Sequence, residues 1–205
     1  YSVKLTVDDK KSSGNRTRII FDTDFAHDVD DLGALAVIHT YAIRGRIEIL
    51  AIGVNGDMHN AVDAVDAVNT YFKKPNIPIG YRDNRRDYVD HYQKHIADRF
   101  HHDQHQTSAP RAVDVYRKAL AAAPDNSVVI ITVGYIVNIV DLLKSGPDKH
   151  SPLNGIELVR KKAKKMYSQG AGTARGRAGT NLGAFNNGNG VTKFLFENFP
   201  RPLIT

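Results

Sequence analysis

A layered α/β fold, with a mostly parallel central sheet and helices on both faces, is what this 205-residue sequence predicts. Two observations carry the prediction. Short apolar runs of strand length alternate with longer amphipathic stretches, an order that pairs successive strands in parallel. Five aspartates also crowd into Asp22-Thr-Asp24-Phe-Ala-His-Asp28-Val-Asp30-Asp31, directly behind the apolar run Arg18-Ile-Ile-Phe21. Acids gathered where a strand ends and a helix begins sit where open α/β sheets bind their ligands.

The elements follow in order. Residues 1–16 are polar and irregular and read as a flexible leader, leaving 17–205 as a single domain. The run ending at Phe21 is the first strand, and Asp31-Leu-Gly-Ala-Leu-Ala-Val-Ile-His39 the helix after it. Residues 47–54 form a second strand, 61–69 a helix and 77–80 a short strand. Residues 88–100 and 109–123 are expected as helices, the second capped by Ser108 with Pro110 in its first turn. Val128-Val-Ile-Ile-Thr-Val133 is the clearest buried strand, with a helix from about Tyr135 to Gly146-Pro147. Residues 163–169 form another strand, followed by a Gly-rich loop to Asn189, a helix over 191–198 and a strand opening at Pro202. The chain stops inside that strand, so the domain is expected to be truncated at its C-terminus. A sheet edge left open there favours a homo-oligomer.

Composition narrows the function classes. With no cysteine there is no disulfide, zinc–thiolate site or thiol nucleophile. No apolar stretch reaches membrane-spanning length and no signal-peptide pattern is visible, which leaves the compartment open and gives no membrane partner. The net charge of +6 permits an anionic partner, but much of it sits in residues 160–165 and in Arg175 and Arg177. Without aromatic side chains interleaved for base stacking, nucleic acid is disfavoured as a partner.

So many carboxylates side by side call for a counter-charge, and a hard, oxygen-seeking divalent cation supplies it. Helix capping accounts for Asp30 and Asp31 but not for Asp22 and Asp24 at the strand end. An apolar strand closing on Asp-x-Asp also opens the haloacid dehalogenase-type phosphatases, in which the first aspartate, here Asp22, attacks phosphorus. That motif does not call for the Asp-Val-Asp-Asp that follows.

Taken together, Ile-Ile-Phe-Asp22-Thr-Asp24 and Asp30-Asp31-Leu-Gly-Ala-Leu35 resemble the signature of the inosine-uridine-preferring nucleoside hydrolases, Asp-Thr-Asp-Pro-Gly-x-Asp-Asp-x-x-Ala-Leu, with a loop longer by two residues. Further likenesses lie at 66–72, 75–80, 131–138, 151–159 and 196–202, so the resemblance covers most of the chain. It implies a Rossmann-like fold and a Ca2+ ion held by Asp24, Asp31 and the backbone carbonyl of Val133, with Asp28 a further candidate ligand. It also implies hydrolysis of the N-glycosidic bond of a small-molecule ribonucleoside, giving ribose and free base. Asp30 matches the general base, Asp22 the residue that orients the loop, and Asn55 and Asn186 ribose contacts. His27 and His59, near the strand-end loops, are candidate substrate contacts.

Departures temper the resemblance. Ala184 stands where the family has a sugar-binding glutamate, and Gln169-Gly-Ala171 replaces its Met-Gly-Gly turn. The family's late His-Asp pair would fall beyond Thr205. Weaker metal binding and a slower reaction are therefore expected, and the alternative function is a catalytically impaired binding, defence or effector protein. His91 and His95, four apart on an expected helix, present two imidazoles on one face, a spacing that suits zinc. No third ligand is evident for them, and with His101, His102 and His105 they read as a polar helix and loop.

Overall fold

The computed structural model describes residues 16–56, 58–82, 91–170, 180–183 and 190–205. Six strands form one all-parallel sheet: β1 (Thr17–Thr23), β2 (Ile47–Val54), β3 (Ile79–Tyr81), β4 (Val128–Thr132), β5 (Ala163–Ser168) and β6 (Leu203–Ile204). Their spatial order is β3-β2-β1-β4-β5-β6. The chain winds outward from β1 through β3, then returns to lay β4 on the other side of β1. Order therefore reverses between β1 and β4, and the crevice over their carboxyl ends is where such sheets take ligands.

Alternation along the strands explains why both faces are covered. In β1, Ile19 and Phe21 face one apolar cluster, while Ile20 faces the other. In β4, Val128 and Ile130 share the face of Ile20, and Val129 lies on the opposite one. Strands buried on both sides read as continuous apolar runs, as 128–131 does. Helices α1 (Asp30–Ile43), α2 (Ala61–Tyr71) and α3 (Tyr92–Ala97) supply side chains to the first face. The second is covered by α4 (Ala112–Ala122), α5 (Val137–Lys144), α6 (Gly155–Lys162) and α8 (Val191–Asn198). A short α7 (Thr180–Gly183) interrupts the expected Gly-rich loop.

Local signals misplace two boundaries and pass over one helix. The residue capping α4 is Arg111 in extended conformation, without a side-chain cap, and the Ser108 hydroxyl instead donates to the His105 carbonyl. His91 likewise precedes α3 in extended backbone, so it does not share a helix face with His95. Helix α6 was not anticipated, although Asn154 and Glu157 form a reciprocal capping box at its start.

Candidate active site

Asp22 is the last but one residue of β1, in register with Gly53 of β2 and Thr132 of β4. It is wholly buried and accepts hydrogen bonds from four side chains drawn from four places in the chain. Oδ1 takes Asn55 Nδ2 at 2.9 Å and Thr132 Oγ1 at 3.3 Å; Oδ2 takes Asn138 Nδ2 at 2.9 Å and the Tyr116 hydroxyl. Burial pushes the Asp22 carboxyl up to about 7, against the lowering effect of these four donors. Gly53 makes the Tyr116 contact possible: a Cβ there would lie 1.7 Å from the Tyr116 hydroxyl oxygen.

Beyond Asp22 the chain is gripped from both sides. A Cβ on Gly56 would meet the Asp24 carbonyl oxygen at 1.9 Å, and one on Gly134 the Asp24 nitrogen at 2.0 Å. The loops after β2 and β4 thus clamp the Asp24 backbone, and glycine is required for that approach. Thr23 staples the turn, its hydroxyl accepting from the Phe25 amide at 3.0 Å and donating to Asp31 Oδ1 at 2.6 Å. Phe25 adopts a left-handed φ of 45° and is fully buried. Gln93 of α3 donates to the carbonyls of Phe25 at 2.6 Å and Ala26 at 2.5 Å. An otherwise strained turn is held from three directions.

This scaffold brings the acids together. Asp24 and Asp31 are buried and act on each other electrostatically, and both carboxyls are raised above the carboxylate range, first by burial. The charge of Asp31 adds to the rise at Asp24, whereas hydrogen bonds from Asp24 and Thr23 oppose it at Asp31. Asp28, Asp30 and Asp31 each offer an oxygen within 4.8 Å of the others, with Asp28 and Asp30 exposed. Asp30 and Asp31 lie in the first turn of α1, where the helix dipole favours negative charge. The buried hydroxyl of Tyr92 takes no hydrogen-bond partner among the described residues, and its pKa is raised by burial and then by Asp31, Asp24, Asp28 and Asp30. An all-oxygen donor set with an unmet hydroxyl beside it fits a hard cation such as calcium.

The other anticipated residues lie around this centre in different ways. Val133 follows β4; its amide donates to the Asp22 carbonyl at 2.9 Å, and its own carbonyl accepts from Asn181 Nδ2 of α7 at 2.6 Å. Asn55 is buried, its Nδ2 shared between Asp22 and the Tyr135 carbonyl at 2.6 Å. His27 is exposed and packs edge-on against His91. His59 lines a cavity of about 780 Å³ with Asp63, Tyr81 and Arg111. Asn186 is outside the described residues.

Sequence reasoning missed Tyr116, Gln93 and Asn181, whose partners are 94, 68 and 48 residues away. No local pattern announces such pairings; only Gly53, a glycine inside a strand, hints at a close approach. The burial of Asp22 among four donors also removes the phosphatase reading, which needs that carboxylate free to attack.

No protein-family model matches the chain, and no curated protein matches its sequence. Solved structures share its fold. One is a plant nucleoside hydrolase, the PpNRh1 enzyme, with TM-score 0.57 and 14% identity over 82% of this chain and 54% of that one. Another is the effector protein XOO4466, with TM-score 0.65 and 14% identity over 92% of this chain and 55% of that one. The chain therefore spans about half the length of each, and its architecture is nucleoside-hydrolase-like.

Proposed function

We propose that this chain binds calcium and ribonucleosides at the carboxyl ends of β1 and β4 and hydrolyses the N-ribosidic bond. The observation that carries this reading is the convergence of Asp28, Asp30 and Asp31, with the buried Asp24 carboxyl feeling the charges of Asp31 and Asp28, at the point where strand order reverses. Asp24 and Asp31 hold the ion, with Asp28 and the second lone pair of the Val133 carbonyl as further donors. Bound calcium would supply oxygen coordination for a ribose diol and lower the pKa of a water.

The chain's own residues do the rest. Asp30, exposed beside the buried acids, accepts the proton of the attacking water as general base. Carboxylates nearby favour the positive charge that builds on ribose as the base departs. Asp22 orients the loop through its four donors rather than touching substrate. Asn55, its amide nitrogen engaged inward, serves as a positioning residue acting through Asp22, while Asn186 and His27 are the proposed contacts to the nucleoside.

Release of free base from purine and pyrimidine ribonucleosides, with and without calcium, tests the reading. Asp30→Ala is expected to slow turnover by about 100- to 10,000-fold, the usual worth of a general base. Unchanged turnover in both Asp30→Ala and Asp31→Ala would sink it.

A second reading keeps the site but not the turnover: a binding or effector protein on the same fold. The Asn181 amide on the Val133 carbonyl favours it, because that carbonyl is one of the implied ligands. So does the likeness to an effector structure over 92% of this chain. Calorimetry with calcium and ribose, run beside the base-release assay, separates the two; binding without release selects the second.

A further inference from the structure

A second cluster of metal-type donors lies outside the acid loop, at the start of α2. We propose that Asp63, His102 and His105 form a binding site for a late divalent transition ion, zinc in the first instance. The Oδ1 atom of Asp63 faces two imidazole nitrogens at once, His102 Nε2 at 3.4 Å and His105 Nδ1 at 3.0 Å. Ligand atoms of a tetrahedral zinc ion, bound at about 2.0–2.1 Å, stand about 3.3–3.4 Å apart, close to the two oxygen–nitrogen distances here, and all three donor atoms lie within 4.8 Å of one another. Two nitrogens and a carboxylate oxygen suit zinc and its neighbours, whereas calcium takes oxygen.

The hydrogen bonding of His102 suits a cation held between its ring and Asp63. Its Nδ1 lies 3.0 Å from the Phe100 carbonyl, which can only accept, so Nδ1 carries the proton. In the neutral ring Nε2 then presents a lone pair toward the lone pairs of Asp63 Oδ1. Two acceptors at that distance are the arrangement that a shared metal ion accommodates. A ring nitrogen donating to a backbone carbonyl while its partner faces inward is also the usual arrangement of a metal-ligating histidine.

The site is rigidly built. Asp63 is buried, and its other oxygen accepts the Gln106 amide at 2.9 Å. Between the two histidines, Asp66 Oδ2 accepts the amides of Asp103 at 2.7 Å and Gln104 at 3.0 Å, and Oδ1 takes Gln104 Nε2 at 2.8 Å. On the far side, Gln106 Oε1 accepts the Ala61 amide at 2.8 Å and its Nε2 donates to the Met58 carbonyl at 3.1 Å. The loop carrying both imidazoles is thereby pinned to α2 independently of any metal. Three protein ligands leave one tetrahedral position, and Asp63 and His105 both line the cavity that also holds His59 and Arg111. A water or an anionic oxygen fits there.

The test uses the full chain, stripped of metal and then saturated with calcium so that the acid loop is filled. Titration with Co2+ should give one ion per chain with the intense visible absorption of four-coordinate cobalt, displaced by Zn2+. His102→Ala and His105→Ala should each weaken binding by about 100-fold or more, since even outer-shell partners of a metal are worth 10–100-fold. Asp24→Asn with Asp31→Asn should leave the affinity unchanged. Circular dichroism checks each variant; if His102→Ala fails to fold, His105→Ala, whose ring is half exposed, makes the same comparison alone. A site that survives both histidine substitutions, or no saturable site, overturns the proposal.

Discussion

Tyr116→Phe isolates the bond that ties α4 to the end of β1. Both Tyr116 and Asp22 are wholly buried, so solvent does not screen the interaction, and removal of one oxygen leaves the ring in place. Asp22 keeps Asn55, Thr132 and Asn138 as donors, and only the Tyr116 contribution is lost. At about pH 9, above the Asp22 value of about 7, the acceptor is charged; hydrogen bonds to a charged group are worth about 1.5–3 kcal/mol, and the expected cost there is about 2 kcal/mol. For a chain of this length that lowers Tm by about 4–8 °C. Urea unfolding followed by circular dichroism measures the cost, with the slope against urea unchanged because the folded surface is the same. Tyr41→Phe, on a half-exposed ring, is the control and should cost less than about 0.5 kcal/mol. If Tyr116→Phe matches that control, Asp22 is not the hub that the geometry makes it, and the account of how the acid loop is oriented fails with it.

Arg117 and Asp148 give a prediction with a pH signature. Arg117 is buried, with Nε 2.9 Å from Asp148 Oδ2 as an ion pair, and the hydrogen bond that its Nη2 donates to Asp148 Oδ1 at 3.1 Å holds the Asp148 carboxyl down from 3.8 to about 2. A depressed carboxyl stabilises the fold above its unfolded value and loses that contribution as pH falls from about 4 to about 2. With Asp148 a quarter exposed, screening reduces the effect to about 1–2 kcal/mol. Arg117→Met should cost about 3 kcal/mol or more at neutral pH and flatten this acid limb; an unchanged limb refutes the assignment. Asn181→Ala releases the Val133 carbonyl and should tighten calcium binding by calorimetry; weaker binding would show that Asn181 organises the site rather than competing for it.

How much of this was legible in the chain depends on how far apart the partners lie. The strand ending at Thr23, the helix opening at Asp30 and the crowding of acids between them are properties of about fifteen consecutive residues. Period and composition reveal such features without any tertiary knowledge. The capping box of Asn154 and Glu157 was equally local and open to the same reading. The histidines show the limit. Spacing singled out His91 and His95, yet His91 lies outside the helix, and the pair that converges is His102 and His105 on Asp63, about forty residues earlier.

The sequence by itself determined that strands and helices alternate, that the sheet is parallel, and that an acidic crossover follows the first strand. Those are consequences of backbone periodicity and of which residues tolerate burial, and neither depends on what packs against them. Only the tertiary structure decided that Asp22 turns inward to four donors while Asp24 and Asp31 close on each other. It alone set Asn181 against the Val133 carbonyl. Side chains on one strand point to opposite faces, so what each acid meets is chosen by helices that return from elsewhere in the chain. The direction of a carboxylate, and with it the chemistry it can do, is a property of that packing.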